Sequence, residues 1–187
     1  MNYFKFLFQK IRGYSFSTLI RLEFESLFFG MFANIPTTAG VILRGILCKL
    51  FIKKIGGFAW IQPRCMLIHT ERMHVGSNFS VNSGTYINAI GGIEIGNYVL
   101  IGSNVTISSG VHPIDGVSPP VISRQTIPTK ICIEDDVWIG AGAVIIPGVT
   151  IAKGTVIGAN SVVTKSTEAY GVYVGAPAKK IRSRLNA

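Results

Sequence analysis

Between Ile133 and Thr167 the chain repeats itself every six residues, and that period decides what it can fold into. Ile133, Ile139, Ile145, Ile151, Ile157 and Val163 are aliphatic at every sixth position. Four residues after each comes Val137, Ala143, Val149, Thr155, Ser161 or Thr167, small or β-branched every time. Ile95, Ile101 and Ile107 repeat the pattern upstream, with Val99, Val105 and Val111 four residues after each. Val75, Val81, Ile87 and Ile93 form another run, offset by two residues from the next. Period six suits neither a 3.6-residue helix nor the two-residue alternation of a single strand. It suits a coil in which three short strands and three turns make a rung of about eighteen residues, each rung burying its aliphatics on the next. A β-sandwich would not hold hexad phase over six repeats. The expected fold is mainly β, a parallel β-helix.

Two stretches depart from the period. Residues 113–130, PIDGVSPPVISRQTIPTK, hold four prolines and no repeat, so they are expected to loop out of the solenoid. Excursions from a rigid scaffold are where functional residues tend to sit. After the last hexad, the chain from Thr164 leaves the coil and is expected to end in a short basic helix.

Residues 1–56 read differently from 57–187, which carry the β-helix domain. Ser26 to Leu43 is uncharged, but Asn34, Pro36, Thr37 and Thr38 interrupt it, and Pro36 would break a continuous helix. The pattern predicts two helices, about 16–33 and 37–54, meeting at NIPTT. The second places Leu43, Ile46, Leu47 and Leu50 on one apolar stripe, with Arg44, Lys49 and Lys53 off it. Residues 1–56 hold eight basic and two acidic residues, so they carry +6 of the formal +9. Phe4, Phe6, Phe8, Phe28, Phe29 and Phe32 add aromatic bulk. An amphipathic hairpin in peripheral contact with a membrane is expected rather than a span. Packing on the solenoid or on a neighbouring subunit is the alternative.

Composition excludes other classes. With 48% hydrophobic and 14% charged residues the chain is not disordered, and it lacks the dense basic stripe of a nucleic-acid binder. Cys48, Cys65 and Cys132 are too few and scattered for a disulfide framework or a zinc site, so reduced, buried thiols are expected. Lys5, Lys10 and Arg12 interrupt the first apolar run and no cleavage site follows, so no signal peptide is expected. A cytoplasmic location is expected, at the inner membrane face if the hairpin binds lipid.

A β-helix is a scaffold, and its function must come from a site. His112 closes ISSGVHP at the lip of the excursion, where a neutral imidazole could take a proton from an acceptor hydroxyl or amine. No Ser-His-Asp or Cys-His arrangement stands out, so direct transfer without a covalent intermediate is simpler. Lys165, Lys179, Lys180, Arg182 and Arg184 could grip a phosphorylated cofactor, or form a solvated tail. His69 and His74 precede the regular repeats and read as structural or exposed; Asp135 and Asp136 read as solvated turn residues. No metal site is expected.

EDDVWIGAGAVIIPGVTIAKGTVIGANSVVTK followed by VGAPAKKIR resembles the hexapeptide-repeat acyltransferases, nearly position for position with galactoside and maltose acetyltransferases. NFSVN and IGNYVLIGSNVTISSGVHP resemble the same enzymes, so the likeness covers about 75–187. It implies a left-handed β-helix, a homotrimer, and acetyl-coenzyme A bound between neighbouring solenoids. Carried over by position, it makes His112 the catalytic base and Asn82 a contact to the sugar acceptor. It sets Ala141 and Ala159 against the pantetheine arm and Thr164 and Lys165 near the cofactor. Lys179 and Arg182 fall near its phosphates, although Lys179 stands where arginine is common. Trp138 packs near the cofactor or in the core. The front departs from these enzymes, whose acidic acceptor-contacting residue has no counterpart here. IPTTAGVILRGILCKLFIKKIGG instead resembles the lead-in of bacterial surface-polysaccharide O-acetyltransferases. The implied activity is acetyl transfer to a sugar hydroxyl of a surface glycan or its precursor. N-acetylation of a nucleotide-linked amino sugar, or a non-catalytic assembly module, are the alternatives.

Overall fold

The computed structural model describes residues 14–186, so Phe4, Lys5, Phe6, Phe8, Lys10 and Arg12 of the basic N-terminus lie outside the described residues. Helix α1 spans Phe16–Phe32 and α2 spans Thr38–Phe51. Each starts on a hydroxyl cap: Ser15 Oγ accepts from Thr18 N at 3.2 Å, and Thr37 Oγ1 from Gly40 N at 3.4 Å. The chain then winds into three parallel sheets, one strand of each per rung. The first comprises β1 (Lys54–Ile55), β4 (Met73–Val75), β7 (Ile93–Ile95), β12 (Ile131–Ile133) and β15 (Thr150–Ile151). The second holds β2 (Ala59–Ile61), β5 (Phe79–Val81), β8 (Leu100–Ile101), β13 (Trp138–Ile139) and β16 (Val156–Ile157). The third holds β3 (Met66–Ile68), β6 (Tyr86–Asn88), β9 (Thr106–Ser108), β14 (Val144–Ile145) and β17 (Val162–Val163).

The hexad residues become three buried ladders. Ile95, Ile133 and Ile151 stack in the first sheet, Ile101, Ile139 and Ile157 in the second, and Ile107, Ile145 and Val163 in the third. The offset between runs has a plain cause. Val75 pairs with Ile95 and Ile87 with Ile107, so these rungs take two more residues, absorbed in the turn at Ala89–Gly92. Residues 113–130 leave after β10 (Gly110–Val111) and return through β11 (Ile127–Pro128), an antiparallel pair, without shifting the register of Ile95 on Ile133.

The C-terminus corrects one expectation. β18 (Gly171–Val174) starts a further rung on β16, and β19 (Lys179–Ser183) folds back antiparallel against it. The segment expected to be a basic helix is thus mostly a strand, with a 3-10 turn only at Arg184–Asn186. The open edge of β18 satisfies that backbone better than an isolated short helix could.

The stripe of α2 divides: Leu43, Ile46 and Leu50 are exposed while Leu47 is buried, and Arg44, off the stripe, points inward with no exposure. Its Nε donates to Ile61 O at 2.9 Å and its Nη1 to Phe32 O at 2.7 Å and Ile35 O at 3.0 Å. The last carbonyls of a helix need donors, and Arg44 supplies one to Phe32 at the end of α1 while also tying the linker at Ile35 and the strand at Ile61. Gly45 allows the approach, because a Cβ there would lie 2.4 Å from the Phe58 ring.

Candidate functional site

The base of the excursion is fixed before the loop begins. Ser109, fully buried, donates through Oγ to Asn88 O at 3.0 Å and accepts from Gly91 N at 2.8 Å; its carbonyl accepts from Thr129 N at 2.7 Å. Gly91 permits this crossing, since a Cβ there would stand 2.2 Å from Ser109 O. His112 follows β10 directly and is exposed, with Nε2 3.4 Å from Thr126 Oγ1 on the returning arm.

Arg124 organises the rest of the loop, and nothing in the sequence reading singled it out. Nε donates to Pro119 O at 2.8 Å, Nη1 to Pro113 O at 3.0 Å and Asp115 O at 2.7 Å, and Nη2 to Gly116 O at 2.7 Å. One guanidinium fork thus fixes four carbonyls of a segment with little regular structure of its own. A single arginine amid prolines was the only signal available.

Asn82, Ala141 and Ala159 share the corner between the second and third sheets. The backbone joins that corner from rung to rung: Asn82 N to Ile101 O at 2.9 Å, Gly102 N to Ile139 O at 2.7 Å, and Gly140 N to Ile157 O at 2.7 Å. Ala141 and Ala159 sit one rung apart there, with Asn160 N donating to Ala141 O at 2.8 Å. Asn82 Nδ2 donates to Ile101 O at 3.1 Å, which holds the amide with Oδ1 left as an acceptor.

His112, Thr164 and Lys165 belong instead to the corner between the third and first sheets, where both Thr164 and Lys165 are exposed. Trp138 and Arg182 line a cavity of about 430 Å³ on the second sheet, together with Tyr98, Leu100 and Val156. Trp138 is 52% exposed on the outer face, so core packing is not its role. One chain therefore divides the expected site residues between two corners and one face.

The basic C-terminus divides too. Lys180 pairs with Glu168 at 2.6 Å, and that carboxylate raises its pKa. Arg184 pairs with Asp136 at 2.9 Å and donates to Gly154 O at 2.7 Å. Among the described residues no carboxylate pairs with Lys165, Lys179 or Arg182. These are the cations an anionic ligand could take up without breaking an ion pair.

The remaining candidates are structural. Asp135 Oδ1 accepts from Asn97 N at 2.7 Å, tying two rungs, so it is not merely solvated. His69 is buried, stacks on Tyr14 at 5.8 Å and lies 3.5 Å from Glu71; His74 lies 3.9 Å from Glu94 on the outer face. Burial pushes the Cys48 thiol up to about 12 and raises that of Cys65, so neither is a ready nucleophile. Cys132 faces outward from the first sheet and is only half-buried, unlike the expectation for it. Among the described residues no cluster of His, Cys, Asp and Glu is arranged to hold a metal ion.

The profile of the bacterial transferase hexapeptide (six repeats) family matches residues 133–165. Galactoside O-acetyltransferase of Escherichia coli (strain K12) is 37% identical over 139 residues, covering 74% of this chain and 68% of that protein. The putative colanic acid biosynthesis acetyltransferase WcaF of the same strain is 32% identical over 142 residues, 76% of this chain and 75% of its own. A solved galactoside acetyltransferase in complex with coenzyme A superposes with a TM-score of 0.81 at 31% identity, covering 90% of this chain and 83% of that one.

Proposed function

This chain belongs to the bacterial hexapeptide-repeat transferases and is an acetyltransferase; on that premise we propose that it acetylates a sugar hydroxyl of a surface polysaccharide or its lipid-linked precursor. Acetyl-coenzyme A is its donor, as the coenzyme A bound by its structural relative supports. The residues fit that donor. Lys165, Lys179 and Arg182 can meet phosphate without losing a carboxylate partner, and the cavity beside Trp138 offers an apolar wall.

The observation that carries the reading is the placement of His112. It stands exposed at the root of a loop stapled by Arg124, directly after a strand of the solenoid's edge. The imidazole takes the proton of the acceptor hydroxyl as the oxygen attacks the thioester carbonyl. The resulting oxyanion collapses, the C–S bond breaks, and the imidazolium returns the proton to the departing thiolate. Asn82 Oδ1 accepts from a second sugar hydroxyl and fixes the acceptor.

The site spans two subunits of a homotrimer. The two corners that share the site residues flank the third sheet, whose outward positions include Thr106, Ser108, Val144 and Val162 and carry no charge. Packing that sheet towards neighbours sets the His112 corner of one copy beside the Asn82 and Ala141 corner of the next. The enzyme works in the cytoplasm, at the inner membrane face where a lipid-linked acceptor lies. WcaF, named for colanic acid biosynthesis, supports the polysaccharide setting.

The test is thiol release from acetyl-coenzyme A with soluble galactosides, glucosides and amino sugars as acceptors. Hydroxyl-dependent release and a product that alkaline hydroxylamine cleaves are expected. Release only with amino sugars, giving a hydroxylamine-resistant amide, would replace O- by N-acetylation.

A further inference from the structure

The helical hairpin leaves uncovered what a helix pair usually buries. Phe16, Ile20, Phe24, Leu27 and Met31 recur at helical spacing along α1, and all are exposed, Phe16 to 78% and Met31 to 61%. Ile42, Leu43, Ile46 and Leu50 do the same on α2, Leu50 to 71%. The rings of Phe24 and Phe28 lie 6.4 Å apart and those of Phe28 and Phe51 6.2 Å, joining the two stripes where α1 meets the end of α2. Single exposed apolar residues are ordinary, but a contiguous surface over two helices marks a contact.

Charge selects the partner. From Phe16 to Thr70 the chain holds six basic residues against two acidic ones, exposed Glu23 and buried Glu25, and from Ser26 on it holds no Asp or Glu. Arg44 is buried and bonded to carbonyls, but Lys49, Lys53, Lys54 and Arg64 are exposed. Lys49 lies one turn from Ile46, and Lys53 and Lys54 follow the helix end. A second copy docking through the same patch would set these cations against themselves. A layer of anionic headgroups over hydrocarbon meets both the charge and the apolar stripes. No described helix is long and apolar enough to cross a membrane. The 17 residues of α1 reach about 25 Å at 1.5 Å each, short of the ~30 Å hydrocarbon core, so the helices must lie along the surface.

We propose that the α1–α2 hairpin is a docking surface for an anionic phospholipid membrane, with the exposed stripes entering the acyl boundary and Lys49, Lys53 and Lys54 at the phosphate level. The proposal deepens the membrane setting given above, yet it stands on the hairpin alone. Acetyl transfer to a soluble acceptor is measured separately, so failure of one leaves the other intact.

The experiment is co-sedimentation of the full chain with vesicles of phosphatidylcholine alone or mixed with phosphatidylglycerol, across a salt series. Binding to the anionic vesicles is expected, weakened several-fold by salt but not abolished, because the apolar part is not screened. Lys49→Gln, Lys53→Gln and Lys54→Gln together should weaken it by roughly 10²-fold, at about a fivefold loss per lysine. Phe24→Glu with Ile46→Glu should abolish it while light scattering and transfer to a soluble acceptor stay unchanged. No binding of the wild type to anionic vesicles, or equal binding to neutral ones, would overturn the proposal. So would a glutamate pair that changes the oligomeric state and leaves vesicle binding intact, which would make the face a subunit contact.

Discussion

Ile101, Ile139 and Ile157 stand one above another at the centre of the second sheet, wholly buried, whereas Ile20, Phe24 and Leu27 lie open along α1. Both regions are rich in aliphatic and aromatic residues, so composition does not separate them. Repetition does. In the solenoid each aliphatic residue has the same residue of the next rung as its cover, so the pattern closes on itself. In the hairpin the inner face is set by Phe29 of α1 and by Gly40, Val41, Arg44, Gly45, Leu47 and Cys48 of α2, and most of the other bulky apolar residues are left outside. The solenoid carries the proposed site at its corners, and the hairpin carries the surface proposed for docking.

The sharpest way to break the division of labour is to ask whether the catalytic edge belongs to one copy. His112→Ala removes the base at one corner; Ala141→Trp fills the other. Each alone should be inactive, and co-expressed in equal amounts they should regain about a quarter of wild-type sites, because a site formed between copies sometimes draws one intact half from each. Failure to regain activity in mixed oligomers of confirmed composition would place the whole site on one chain.

Stability gives the next contrast. Ile139→Ala removes buried methylenes between two rungs and should destabilise by about 2–5 kcal/mol in denaturant unfolding. Leu50→Ala, at an exposed position of similar hydrophobicity, should stay within about 0.5 kcal/mol. Similar losses at both sites would mean that the hairpin stripe is covered within the protein.

Lys179→Ala and Arg182→Ala should each raise the KM for acetyl-coenzyme A by roughly tenfold, the usual scale for a lost charged contact, with kcat little changed. Lys180→Ala should do less, since Glu168 already engages that cation.

The smallest effect lies at the seam between the two regions. Glu25 is buried against the first rung, where Oε1 accepts from Thr70 N at 3.4 Å, and desolvation raises its pKa above the usual carboxylate value. A group with a raised folded pKa contributes its stability in full below the unfolded value and loses it as pH rises through the folded one. Thermal unfolding should therefore show the wild type losing stability above the ordinary carboxylate range. Glu25→Gln keeps the acceptor and should flatten that loss, raising Tm at neutral pH by a few degrees. A lower Tm for the glutamine variant at neutral pH would show that the ionised carboxylate is stabilising.

Much of this was legible in the residues. Hexad phase predicts the three ladders, the prolines predict the excursion, and ISSGVHP predicts a histidine at its lip. The two-residue offset between repeat runs was visible but not interpretable until the turn at Ala89–Gly92 was seen to absorb it. What stayed hidden depends on partners distant in sequence. Lys179–Ser183 has no local feature favouring a strand; the free edge of β18 decides it. Arg44 reads as a surface cation until the carbonyls of Phe32, Ile35 and Ile61 are brought around it. Arg124 is equally silent, because its four acceptors exist only once the loop has folded onto it.

The central claim is that His112 is the base for acetyl transfer from acetyl-coenzyme A. The direct test compares wild type and His112→Ala in acceptor-dependent thiol release, with coenzyme A binding measured alongside by calorimetry. The account predicts a fall in kcat of roughly 10²-fold or more with binding unchanged, the scale for removing a positioned general base. A variant that turns over at a near-normal rate would contradict it.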